Sequence, residues 1–281
     1  MGETGVELVK QLREETGARY SDCNKALKEC GGDVKAALDW LRKKNLATGR
    51  KAAGRPAELG ALGAKYSADG AVTVVELSAN TDFVVANAEF QALLARLVDL
   101  AEAKQAETVE ALLALPCGAH TAGETVQELA GKIGENIAAR RVLRFTGACG
   151  YYIHFDYRQG AVVELTGVQG DAARALGKEL GMQIVFGKPK YVRRDEVPAE
   201  SAAKERELIA ARLKEDPKLA GKPPQILTKI AEGQLAKALY AEVCLLDQPY
   251  FRDGAKTISQ YLKEQGGEVG VKRFVALRVG E

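Results

Sequence analysis

Apolar residues in 5–45 recur at helical spacing and are punctuated by turn residues, a pattern that predicts three short helices. Val9 and Leu12 mark the first, and Thr16-Gly17 stops it. Cys23, Ala26, Leu27 and Cys30 follow the i, i+3, i+4, i+7 rule of the second; Ser21 or Asp22 can cap it, and Gly31-Gly32 ends it. Asp33 caps a third, whose stripe is Val34, Ala37, Leu38 and Leu41. Helices of this kind pack as a compact bundle. Over 42–63 the stripe dissolves into Arg42, Lys43, Lys44, Arg50, Lys51 and Arg55 among Gly and Ala, which predicts a basic linker.

Beyond Lys65 strands and helices mix, as in an α+β chain. Val72–Leu77 is apolar on both faces and reads as an internal strand. A helix with Phe90, Leu94, Leu97 and Ala101 inward follows, then a short one over Thr108–Leu115, stopped by Pro116. Thr125 and Glu128 have capping-box spacing, with Val126, Leu129, Ala130, Ile133 and Ile137 as the stripe. Val142–Phe145 and Tyr151–Tyr157 read as strands, Ala172–Val185 as a helix, and 199–243 as two long helices separated at Asp216-Pro217 and Gly221-Lys222-Pro223-Pro224. A helix near Lys256–Gln265 and a strand over Val271–Val279 complete the pattern.

Two segments resemble each other: Gly70–Leu77 and Gly160–Leu165, each followed by a turn and a helix. The second turn, Thr166-Gly167-Val168-Gln169-Gly170-Asp171, is ordinary turn sequence. The first contains Asn80-Thr81-Asp82-Phe83-Val84-Val85. A phenylalanine prefers a core and a turn prefers Gly, Pro or Asn. If both units fold alike, folding alone does not require Phe83. Asp82 can cap the following helix or compete for donors and cations in a partner.

Composition narrows the function. The 281 residues carry a net charge of +2, too balanced to imply nucleic acid or an acidic membrane. Apolar runs are too short to span a bilayer. Met1-Gly2-Glu3-Thr4-Gly5 lacks the basic and apolar stretches of a leader, so a cytoplasmic protein is expected. The five cysteines are odd in number and form no CxxC pair, which fits reduced thiols. His120 and His154 are too few for a multi-histidine metal site. P-loop, GxGxxG and GxSxG patterns are absent, leaving an enzyme reading no constellation to stand on and no cofactor to expect. The basic linker keeps an alternative open, an RNA-binding translation accessory, although no aromatic lies among its charges.

Three stretches together resemble one family, elongation factor Ts. They are Leu12-Arg13-Glu14-Glu15-Thr16-Gly17-Ala18-Arg19-Tyr20-Ser21-Asp22-Cys23-Asn24-Lys25-Ala26-Leu27, then Glu76-Leu77-Ser78-Ala79-Asn80-Thr81-Asp82-Phe83-Val84, then Lys132-Ile133-Gly134-Glu135-Asn136-Ile137 followed by Arg140-Arg141. Order and spacing match over essentially the whole chain. Tyr20, Ser21, Asn24, Ser78, Asn80 and Val85 depart from the usual family residues.

The resemblance implies an α+β fold: a three-helix, ubiquitin-associated-like partner-binding domain at 1–45, the linker at 46–63, a core N-subdomain at 64–148 and a core C-subdomain at 149–281. Both subdomains would have antiparallel sheets, the second with a helical hairpin inserted at about 199–243. It also implies a guanine-nucleotide exchange factor for elongation factor Tu, without bond chemistry. Thr81, Asp82, Phe83 and Val84 would form the wedge that displaces Mg²⁺ and phosphate contacts in that partner. Leu12, Arg13, Arg19, Tyr20 and Asp22 would form the N-terminal grip. The sequence leaves a homodimer or a two-to-two complex with the partner open.

Overall fold

The computed structural model of the chain describes residues 3–216, 219, 222–266 and 268–281, with the side chains of Glu3 and Thr4 excepted. The leader reading at Met1-Gly2 and the helix breakers Pro217 and Gly221 lie outside the described residues.

The N-terminal stripes form α1 (Glu3–Thr16), α2 (Tyr20–Glu29) and α3 (Val34–Ala52). Val9, Leu12, Cys23, Ala26, Leu27, Ala37 and Leu41 close one apolar cluster between them. Asp33 caps α3 by accepting from the Ala36 N–H at 3.0 Å. The second helix differs from expectation. Arg19 is its N-cap and offers no side-chain bond; Ser21 and Asp22 already lie inside the first turn, where Asp22 favours the helix dipole and pairs with Lys44.

The linker expected at 46–63 is much shorter. α3 continues through Ala52 and β1 (Leu59–Tyr66) begins seven residues later, leaving 53–58 as the connection. The reason is tertiary. The second half of α3 lies on α7 (Ala122–Ile133), and the backbones meet where each helix has a glycine. A Cβ on Gly49 would strike the Gln127 carbonyl, and one on Gly131 the Asn45 carbonyl.

The first sheet is antiparallel, in the order β1, β2 (Val72–Ala79), β5 (Ile137–Phe145). β2 is central and buried throughout, as its two apolar faces predict. A one-turn helix, α4 (Asp82–Val85), leads into α5 (Ala88–Ala103), which covers one face with Phe90, Leu94 and Leu97. Then come α6 (Val109–Ala114) and the small hairpin of β3 (Pro116–Cys117) and β4 (His120–Thr121). This hairpin delivers the chain to α7 one turn earlier than the Thr125/Glu128 spacing suggests. The capping box is Thr121/Glu124, and the Thr125 hydroxyl instead donates to the Thr121 carbonyl at 2.9 Å. Gly134 ends α7 in the left-handed region, so Ile137 opens β5 rather than extending the helical stripe.

The second sheet repeats the plan: β6 (Cys149–Ile153), central β7 (Gln159–Thr166) and, after a long excursion, β10 (Gly270–Arg278). β6 is shorter than expected because the Tyr157 N–H returns to the His154 carbonyl at 2.8 Å and closes a turn. α8 (Gly170–Gly187) covers the outer face. The excursion holds α9 (Ala199–Glu215), α10 (Pro224–Leu235), a π-helical turn at Ala236–Tyr240, α11 (Ala241–Val243), the β8–β9 hairpin (Pro249–Tyr250, Asp253–Thr257) and α12 (Ile258–Gln265).

The inner faces of the two sheets meet in an apolar layer of Leu62, Val72, Val74, Phe145, Cys149, Val162 and Leu277. The molecule is therefore layered as helix, sheet, sheet, helix, with the N-terminal bundle against α7. The repeat extends to buried charge. Glu76 of β2 and Glu164 of β7 occupy the same place in their central strands. Each sits at a register shift opposite an arginine of the neighbouring strand: Arg141 at 3.1 Å and Arg273 at 2.6 Å.

Candidate functional site

β2 is fixed by burial, so the chain leaving it at Ala79 emerges at a defined place. Thr81 caps α4, its hydroxyl oxygen accepting from the Val84 N–H at 3.4 Å. Asn87 caps α5 by accepting from the Glu89 N–H at 2.8 Å. Asp82 therefore caps neither helix and stands exposed. Val84 and Val85 enter the core beneath α5. On the opposite side of the same turn, Phe83 is 85% exposed. One turn thus sends two valines inward and an aspartate and a phenylalanine outward.

The third motif lies directly behind this turn. The Thr81 hydroxyl donates to Glu135, 3.0 Å from Oε2. The Asn136 N–H donates to Asn80 Oδ1 at 2.6 Å, and the Asn80 amide donates to the Pro56 carbonyl. The Asn136 side-chain amide donates to the carbonyls of Arg55, at 2.7 Å, and Ala53, at 3.3 Å. Arg55 returns a bond to the Gly134 carbonyl at 3.1 Å. Lys132 reaches Glu89 at 2.6 Å, and this pair lies against Gly17 of the first motif. The third motif thus meets the second at this turn and the first at Gly17.

The N-terminal residues divide differently. Arg13, Arg19 and Tyr20 are exposed, whereas Asp22 is half-buried against Lys44. Leu12 is 0% exposed and fills the bundle core, so it has no surface to offer a partner. Its place in the motif reflects packing, a correction to its expected role in the grip.

Sequence reasoning gave no role to Glu135, Asn136 or Asn80, although polar residues straight after a helix-ending glycine were the available signal. It also passed over Phe155, which is 82% exposed at the β6–β7 turn with the His154 ring 4.4 Å away. Among the basic residues of 42–55, Arg42 pairs with Glu124 and Glu128, Lys44 with Asp22, and Arg55 with a backbone carbonyl. Lys43, Arg50 and Lys51 are exposed. All five cysteines are free thiols, and burial pushes those of Cys149 and Cys244 up to about 11. Among the described residues no cluster of His, Cys, Asp or Glu could hold a metal ion, and no helix is long and apolar enough to cross a membrane.

Fold and site together define an α+β protein built around a short helix that presents an aromatic side chain to solvent. Comparison with known proteins names the group. The family profile Elongation factor TS matches residues 80–281. The chain is 39% identical to Elongation factor Ts of Symbiobacterium thermophilum, over 100% of this chain and 93% of that protein. It is 40% identical to Elongation factor Ts of Methylococcus capsulatus, over 98% and 91% of the two chains, and 37% identical to that of a Nostoc species, over 100% and 94%. The chain belongs to the elongation factor Ts family and acts in translation elongation.

Proposed function

We propose that this chain binds elongation factor Tu in its GDP form and speeds GDP release so that GTP can bind. Asp82 and Phe83 act as a wedge near the Mg²⁺ and phosphate site of the partner, with Thr81 and Val84 as its support. Arg13, Arg19, Tyr20 and Asp22 of the three N-terminal helices hold the nucleotide-binding domain. The subdomain at 149–281 holds another domain of the partner, the subdomain that starts with β1 and ends at 148 carries the wedge, and the factor works in the cytoplasm without bond chemistry. The observation that carries this reading is the exposure of Phe83 on a turn whose other side is buried.

The energetics suit exchange. A factor that prefers the nucleotide-free partner weakens nucleotide by the same ratio. Burying one Phe side chain is worth about 1.5–3 kcal/mol, or about one to two decades in an equilibrium constant. Tight nucleotide binding needs more than that, hence a grip spread over several units. Arg42 and Lys44 are paired with carboxylates, which leaves Lys43, Arg50, Lys51 and Arg55 for an RNA-binding reading, and no aromatic lies among them to stack on a base.

Stopped-flow release of a fluorescent GDP analogue from elongation factor Tu tests the wedge. Phe83→Ala should slow the saturating rate about ten- to a hundredfold while the chain unfolds at the wild-type temperature. An unchanged saturating rate would sink the wedge.

A further inference from the structure

α4 has only four residues, and a single helical turn is unfavourable by itself because nucleation fixes several residues for one hydrogen bond. Its pose therefore depends on what holds it from outside. Val84 and Val85 fix the inner side. The entrance is held by Thr81, whose hydroxyl donates to Glu135 and accepts from the Val84 N–H. An ionised carboxylate only accepts, so Glu135 commits the hydroxyl proton and leaves a lone pair of the same oxygen for the helix. Donation to a charged group also polarises that oxygen and makes it the better cap. Asn136, itself buried, holds Asn80 on one side and the carbonyls of Ala53 and Arg55 on the other.

We propose that Glu135 is a positioning residue for exchange. It sets the direction of Phe83 through Thr81, without itself touching the partner, and Asn136 ties that direction to the connection carrying the N-terminal helices. The proposal rests on the wedge reading of Phe83.

The test uses the full chain and follows GDP release against factor concentration, which separates the saturating rate from the concentration needed for half of it. Glu135→Ala should lower the saturating rate about tenfold, the worth of one charge-assisted hydrogen bond, and leave the half-saturating concentration unchanged. Glu135→Gln keeps an acceptor for the Thr81 hydroxyl without the charge and should restore part of the rate. In the free chain, the amide protons of Val84, Val85 and Ala86 should exchange about tenfold faster in Glu135→Ala, with the global unfolding midpoint unchanged. Thr81→Val should reproduce these effects, and the double variant should be no slower than either single one.

A wild-type saturating rate in Glu135→Ala, measured where Phe83→Ala is slow, would overturn the positioning role. So would a change confined to the half-saturating concentration, which would make Glu135 a direct contact. A Gln variant as slow as the Ala variant would likewise overturn it. A wild-type rate in Phe83→Ala would overturn the wedge reading instead, and hydrogen exchange would still report separately on the hold of Glu135 over the turn.

Discussion

Leu12 and Tyr20 belong to the same motif and do opposite things. Leu12 has no exposed surface, whereas Tyr20 is 52% exposed at the start of α2. Leu12→Ala should cost about 2–5 kcal/mol of stability through the cavity it leaves, seen as a lower urea midpoint for the N-terminal helices. Tyr20→Ala should leave that midpoint in place and weaken affinity for elongation factor Tu, measured by calorimetry. An unmoved midpoint in Leu12→Ala would deny its core role; unchanged affinity in Tyr20→Ala would remove it from the grip. A motif shows which residues travel together and not which way each one points, and that was the limit of the sequence here. Phe83 was legible for a different reason: the second strand–turn–helix unit supplied an internal comparison that did without it. Glu135 and Asn136 were not legible, because their partners, Asn80, Thr81 and residues 53–56, are far away in sequence.

Helices were readable where their apolar stripe was local and misread where a neighbour decided. Thr121-Ala122-Gly123-Glu124 and Thr125-Val126-Gln127-Glu128 are tandem capping-box candidates. The β3–β4 hairpin, which no periodicity announces, selects the first. Likewise α3 outruns its stripe because α7 gives it a surface to lie on. Two glycines test this with opposite signs. Gly233 on exposed α10 has open space where a Cβ would go, so Gly233→Ala should stabilise the chain by up to about 1 kcal/mol through helix propensity. Gly131→Ala has the same propensity gain, yet its Cβ meets the Asn45 backbone. It should lose about 1–3 kcal/mol and open the 53–58 connection to protease. Equal melting shifts for the two would refute close helix contact at Gly131.

Across the whole molecule, the two sheets share a plan that includes a carboxylate buried in each central strand. The Glu164 carboxyl is pushed up by burial, but hydrogen bonds from Lys272 and Arg273 and their charges more than offset this, so it lies below its ordinary 4.5. A depressed carboxylate contributes stability that is fully present above its unfolded value and is lost as pH falls through the folded one. Glu164→Gln should therefore lower the urea midpoint near neutrality, and the gap to wild type should narrow as pH drops below 4.5. A gap that stays constant with pH would contradict this. The faint sequence repeat foretold two similar units, and the internal place of β2 followed from its apolar residues on both faces. Their face-to-face packing was hidden, since Val72, Val74 and Val162 declare burial without saying against what.

β10 is the last strand of the second sheet to be made, and the whole of α9 through α12 must be synthesised before it. Until it arrives, β7 keeps one edge unpaired although α8 can already cover a face, and Glu164 lacks its Lys272 and Arg273 partners. The wait in the first sheet is shorter, because only α4 through α7 separate β5 from its partner β2. As the chain leaves the ribosome, the sheet that leads into the Phe83 turn can thus close while its twin still has an open edge.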